Sequence, residues 1–184
     1  MNDTEKEKAK LVKIKQIQKI GKAEFSYFDH LVSVSIPDSV TEIEDDMFKN
    51  CESLRSVPLP KSLTKINGMF SGCKSLKNVD IPDTVTKIDC GAFSYCDFLE
   101  SVKLPKDLKG IGCQAFKYCI SLKSIRIPKS VAKISPCAFE DCTALSSIEF
   151  DGTMEQWLKI EKCPYWRDGV PAKTVHCTDG DAEI

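Results

Sequence analysis

The sequence predicts an α/β repeat protein: a solenoid with a parallel β-sheet on one face and short helical or 3₁₀ returns on the other. Three observations predict it. Phe25, Phe48, Phe70, Phe93, Phe116 and Phe139 follow one another at steps of 23, 22, 23, 23 and 23 residues. Leu31, Leu54, Leu76, Leu99, Leu122 and Leu145 share those steps, as do Pro37 to Pro128 and Cys51 to Cys142, including the single contraction before Phe70. Each unit also switches from a spacing of three and four between apolar residues to a strict alternation. A fixed period of this length means stacked supersecondary units, because one unit alone cannot bury its apolar edge.

The unit reads I-x-x-x-A-F-x-x-C-x-x-L-x-x-V-x-I-P-x-S-V-x-x and begins at Ile20, Ile43, Ile66, Ile88, Ile111 and Ile134. Its strand is the alternating part, as in Leu122-Lys-Ser-Ile125-Arg-Ile127-Pro128, a half-buried β pattern. The proline ends it, since a residue without an N–H cannot continue a central ladder. The part before it, Ile111 to Leu122, spaces its apolar residues by three and four and predicts a short helical or 3₁₀ turn. Six stacked copies at about 4.8 Å make a sheet roughly 29 Å wide.

Residues 20–150 hold the six repeats of 22–23 residues, and the two ends differ from them. Residues 1–19 carry six lysines and three acids, then Leu11, Val12, Ile14 and Ile17. They read as an N-terminal extension or cap, either a degenerate coil or a short helix. Residues 151–184 read as a C-terminal cap of helix, loop and strand: Thr153-Met-Glu-Gln156 is a capping box, Trp157 and Ile160 share a face, and a last strand falls at 173–177.

Of 184 residues, 42% are hydrophobic and 29% charged, with 26 Lys+Arg against 27 Asp+Glu. That balance provides no general field for nucleic acid or a membrane surface, and no run approaches the ~20 apolar residues of a membrane span. The first residues, MNDTEKEKAK, lack the apolar stretch of a secretory signal. A native start at Met1 therefore predicts the cytoplasm.

The chemistry-bearing residues are few. The cysteines lack the paired short spacing of zinc sites, and the column Cys51 to Cys142 reads as small buried hydrophobes. Neighbouring rungs are close enough for disulfides, although parallel side chains do not favour the required dihedral. Gly110-Ile-Gly112-Cys-Gln-Ala115 fits G-x-G-x-x-A but falls in a coil corner, without the strand and full helix of a dinucleotide site. His176 and Cys177 are neighbours on a strand and point to opposite faces; His30 reads as structural. No nucleophile elbow, P-loop or zinc-protease motif is present. The expectation is a protein without catalytic residues, metal or cofactor.

Binding surfaces of repeat proteins are continuous arrays of outward side chains. The residue between the two buried strand positions is Ser35, Pro58, Asp80, Lys103, Arg126 and Glu149 in turn, and just past each proline come Asp38, Lys61, Asp83, Lys106 and Lys129. Coils four and five thus gather Lys103, Lys106, Lys123, Arg126 and Lys129 beside Asp80 and Asp83. This cationic cluster with an acidic neighbour is the expected protein-binding face.

The unit F-x-x-C-x-x-L-x-x-V-x-I-P-x-S-V resembles the BspA-type (Treponema pallidum-type) leucine-rich repeat over residues 20–150. The tail, with Trp157, Trp166 and Thr174-Val-His-Cys177-Thr-Asp-Gly180, resembles the closing segment of such arrays. The resemblance implies a right-handed leucine-rich-repeat solenoid that binds protein ligands, at a cell surface or secreted, in adhesion or host interaction. An intracellular scaffold or adaptor on the same solenoid is the alternative. One departure from the general leucine-rich pattern is that Ser39, Ser62, Thr84, Asp107 and Ser130 stand where asparagine belongs.

Overall fold

The protein is described by a computed structural model that covers residues 11–13, 19–20 and 23–184. It is a β-solenoid of about 5 turns. The predicted strands lie along one row as separate parallel sheets: β3 (Ser33–Ser35), joined by β1 (Leu11–Lys13) from the N-terminal region; β6 (Asn78–Asp80) with β8 (Ser101–Lys103); and β10 (Ser124–Ile127), β12 (Ser147–Phe150) and β14 (Thr174–Cys177). In the second coil the predicted strand is reduced to a single bridge of Ser56 to Ser33. Pairing is in register with the repeat, Val79 opposite Val102 and Ile125 opposite Ile148. The row's second apolar residue is buried in every copy while its neighbours face water, as at Ser101–Lys103, the alternation expected of a half-buried sheet.

A second row of strands, which the sequence does not announce, runs along another side of the coil. It contains β2 (Lys19–Ile20), β4 (Glu42–Ile43), β5 (Lys65–Ile66), β7 (Lys87–Ile88), β9 (Gly110–Ile111), β11 (Lys133–Ile134) and β13 (Glu161–Lys162). The last five of these form one sheet in the order β13-β11-β9-β7-β5. Each is two residues long, too short for any alternation to be legible, yet each isoleucine from Ile43 to Ile134 is buried.

β1 and β2 pair with β3 and β4, one coil further on. The remaining residues assigned to the N-terminal cap, 1–10 and 14–18, lie outside the described residues.

The returns are not helical, which corrects the expectation of helical or 3₁₀ segments on the other face. Among the described residues the one helix is α1 (Met154–Lys159), in the cap. In the returns, alternate amides point within the coil and across to the next: Lys49 donates to Asp46 and Cys51 to Phe48, while Phe48 donates to Met69 and Asn50 to Ser71. A helix needs every amide for its own chain, and here half are drawn to the neighbouring rung. The turn is closed by left-handed residues in two columns, Asp46 and Asn50 in this coil, Gln114 and Tyr118 three coils on, all at φ of 55–60°. The spacing of three and four that mimics a helix is the pitch of these successive turns.

The interior is built of columns. Phe25, Phe48, Phe70, Phe93, Phe116 and Phe139 stack face to face with centroids 5.3–6.0 Å apart and planes within 14°. Beside them each column cysteine donates its thiol to the phenylalanine carbonyl of the preceding coil, Cys51 to Phe25 at 3.0 Å and Cys142 to Phe116 at 3.0 Å, with Cys73, Cys96 and Cys119 between. These cysteines therefore do more than fill space: each thiol is a second donor, from the next coil, to a buried carbonyl that already accepts a turn amide, as Phe48 accepts from Cys51 and from the Cys73 thiol. A hydroxyl column likewise donates between coils at the proline corners. Thr84 Oγ1 reaches the carbonyls of Lys61 and Leu63, and Ser130 Oγ those of Lys106 and Leu108. This is what serine and threonine supply in place of asparagine.

The C-terminal end is closed as the capping box predicts. Thr153 caps α1, with Gln156 reciprocating, and Trp157 is buried beneath it. Strand β15 (Gly180–Glu183) then folds back antiparallel on β14, a hairpin absent from the sequence reading.

Candidate interaction surface

The strand row that presents the expected binding face leaves Ser35, Pro58, Asp80, Lys103 and Arg126 exposed, with Glu149 half-buried. Alternation is the reason: Val79, Val102 and Ile125 point inward, so the residues one place on point outward. Asp80 and Lys103 are register partners on β6 and β8. Together with Asp83 and Lys61 they line one groove of about 450 Å³. Opposite charges facing each other on adjacent rungs stabilise the pairing modestly, on the order of 0.2–1 kcal/mol.

The rest of the expected cluster is dispersed. Arg126 is committed to acids of the following coil, contacting Glu149 and donating to Asp151 Oδ1 at 2.8 Å. Those carboxylates hold its guanidinium further above its ordinary range. Lys106 and Lys129 are exposed at successive proline corners, and Lys123 is exposed where its backbone carbonyl receives the amides of Ser146 and Ser147. Three of the expected residues, Asp80, Asp83 and Lys103, thus meet in one groove. Lys61 belongs there too, and its signal was its place in the column of residues just past each proline.

The thiols of the interior are not reactive groups. Burial pushes Cys51 up to about 12 and raises Cys73, Cys96 and Cys119 well above the ordinary thiol range, so the nucleophilic thiolate is suppressed. All ten cysteines are free. Among the described residues no group of three or more His, Cys, Asp or Glu side chains is arranged to hold a metal ion, and no helix is long and apolar enough to cross a membrane. His176 is exposed, its Nδ1 2.9 Å from Asp181 Oδ1 across the β14–β15 pair. The G-x-G-x-x-A stretch has a packing origin: Gly112 donates to Ile88, and a Cβ there would sit 2.5 Å from the Asp89 carbonyl carbon.

Two parallel strand rows, a thiol ladder and a stacked phenylalanine column at 22–23 residues per rung define the repeat. The family model of the BspA type leucine rich repeat region matches 6 copies over residues 5–120 and 67–160. The chain belongs to this family. Among solved structures, this BspA-type repeat protein is similar to the T. pallidum leucine rich repeat protein, with 31% identity and a TM-score of 0.73 over 76% of this chain and 69% of that one. It is also similar to a leucine rich cell surface protein from Faecalibacterium prausnitzii, with 33% identity and a TM-score of 0.54 over 83% of this chain. It spans only 35% of that protein. A leucine-rich repeat protein from Bacteroides ovatus, 22% identical with a TM-score of 0.53 over 83% of this chain and 59% of that one, shares the fold. Comparison with the curated proteins finds no match.

Proposed function

We propose that this BspA-type repeat protein is a non-enzymatic protein-binding module of a cell surface, acting in adhesion or host interaction. Its six repeats over residues 20–150 would form a right-handed array, with residues 1–19 and 151–184 as its caps. The observation that carries the reading is the groove in which Lys61, Asp80, Asp83 and Lys103 converge on the exposed strand row. Alternating charges there suit a protein ligand with complementary charges, because such pairs fix register and speed encounter more than they add affinity. The name of the F. prausnitzii relative, a cell surface protein, supports the location. Lys106, Lys123 and Lys129 extend the face, and Arg126 contributes through its pairing with Glu149 and Asp151 rather than as a free cation.

The test is retention of purified extracellular-matrix proteins by the wild-type chain and by an Asp80→Lys/Lys103→Glu variant. That exchange preserves net charge and the cross-strand pair while inverting the groove's polarity. Loss of a matrix ligand with unchanged melting is the expected result. Retention indifferent to the exchange would move the binding face elsewhere. The free thiols favour a second reading, an intracellular scaffold or adaptor, since reduced cysteines persist in reducing compartments. Capture of a cytosolic partner alone, under reducing conditions, would establish it.

A further inference from the structure

The second strand row carries a feature that the proposed adhesion face does not use. Lys65, Lys87 and Lys133 occupy the same outward position on β5, β7 and β11. On β9 that position is Gly110, and the charge is supplied by the residue before it, Lys109. Four successive rungs therefore each present an exposed ammonium, at intervals of about 4.8 Å and over about 14 Å. The missing side chain at Gly110 opens a groove of about 350 Å³ walled by Lys87, Lys109 and Lys133. A Cβ added at Gly110 would meet only the Lys133 carbonyl, at 3.4 Å.

The charges of this line are available. Lys65 and Lys109 make no ion pair among the described residues. Lys87 and Lys133 lie 2.6 Å from Asp89 and Glu161, but exposed pairs of this kind are weak, are screened by salt and exchange readily. Acids close both ends: Glu161 is the register partner of Lys133, and Glu42 stands one repeat before Lys65. The cationic window is thus limited to the four rungs between them.

The floor decides which anion fits. The amides of Lys109, Gly112 and Ser135 donate to Thr86, Ile88 and Ile111, and the groove lies within a five-stranded row, away from its edges. An acidic peptide strand would find no open edge to pair with, and a phosphate would find no free backbone N–H cradle. Lysines offer mobile point charges without the planar fork that selects a single carboxylate or phosphate. We propose that the row over Lys65, Lys87, Lys109 and Lys133 binds a linear anionic glycan, a sugar chain bearing sulfate or carboxylate groups. The lysine stems and glycine backbone form an uncharged floor for its rings, and the ammonium groups meet its anions.

The experiment titrates the full chain with heparin as the sulfated probe, and with polyglutamate and duplex DNA as comparators, at low and physiological salt. Heparin binds tightest, weakening as salt rises. Lys65→Glu/Lys109→Glu weakens it roughly tenfold or more, whereas Lys103→Glu/Lys129→Glu on the other row leaves it within about twofold. Gly110→Lys, which restores the missing rung charge in open space, tightens binding, and Gly110→Glu loosens it. The proposal is overturned if heparin binding ignores both Gly110 variants, or if polyglutamate or DNA binds more tightly with the same sensitivity. The Lys65, Lys109 and Gly110 variants lie outside the Asp80–Lys103 groove, so failure of these leaves the matrix-protein reading standing, and the reverse holds.

Discussion

From Phe25 to Phe139 the interior is a column of nearly parallel rings, whereas beyond Phe139 the rings turn. Trp166 meets Phe139 edge-on at 6.2 Å and 81°, and Trp157 meets Trp166 at 6.0 Å and 65°. At the other end Phe28 stands edge-on to Phe25, at 89°. A parallel stack leaves a ring face open at each end, ready to accept another rung. At the cap the ring that follows Phe139 is Trp166, perpendicular rather than parallel, so the regular stack ends there. The array is thus held by identical nearest-neighbour contacts, and the cap by unlike ones that terminate them.

Truncation should separate the two regions most strongly. Phe93→Ala removes two ring stacks and a fully buried side chain and should cost about 3–5 kcal/mol, lowering the urea midpoint of the whole array. Trp166→Ala removes a ring at the margin of the core and should cost about 3 kcal/mol, the low end for aromatic truncation. Its signature is local: hydrogen exchange should rise in β12, β14 and β15 before the middle coils respond. Equal, global unfolding from both variants would show that the cap is simply another rung.

The thiol ladder sharpens the same contrast through pH, because it runs through the array and stops before the cap. An unfolded cysteine ionises near pH ~8.5, but burial keeps Cys51 protonated to about 12 and raises Cys73, Cys96 and Cys119 well above the ordinary thiol range. Their contribution is complete below the unfolded value. Above it the unfolded chain binds fewer protons than the native one, and stability falls by up to about 1.4 kcal/mol per pH unit for each thiol. Urea midpoints under reducing conditions should decline between pH 8 and 10, less steeply in a Cys96→Ser variant. A flat profile would mean that the ladder is open to water.

The smallest effect belongs to the cap's own helix. Thr153→Ala removes the side chain that accepts the Gln156 amide at 3.3 Å and should cost about 1 kcal/mol. Thermal melting should shift by a few degrees while the middle coils keep their exchange protection.

The repeat, its strand row and the capped helix were legible because each depends on local pattern or fixed period. Phe, Leu, Pro and Cys columns must recur at one spacing wherever rungs stack in register. The second strand row was not legible, since Lys65–Ile66 and its counterparts are too short to display a period. The returns were misread for a related reason: apolar spacings of three and four suit both a helix and a succession of turns. Only the neighbouring coil, by accepting the Phe48 and Asn50 amides, selects the turns. At the candidate face, Asp80, Asp83 and Lys103 were foreseen as one group because alternation places them outward. The capture of Arg126 by Asp151 was not, because that carboxylate becomes a neighbour only when the chain leaves β12 beside the fifth coil.

By itself the sequence determined that this chain is a BspA-type solenoid, what fills its interior and where its rods of like residues run. Tertiary structure alone decided which hydrogen bonds cross between rungs, what each column cysteine donates to, and which surface charges are consumed by their neighbours. The physical reason is the range of the forces involved. Burial acts on every copy alike and is written into the period, whereas a hydrogen bond or ion pair depends on ångström-scale placement of groups some 22–26 residues apart, which stacking alone provides.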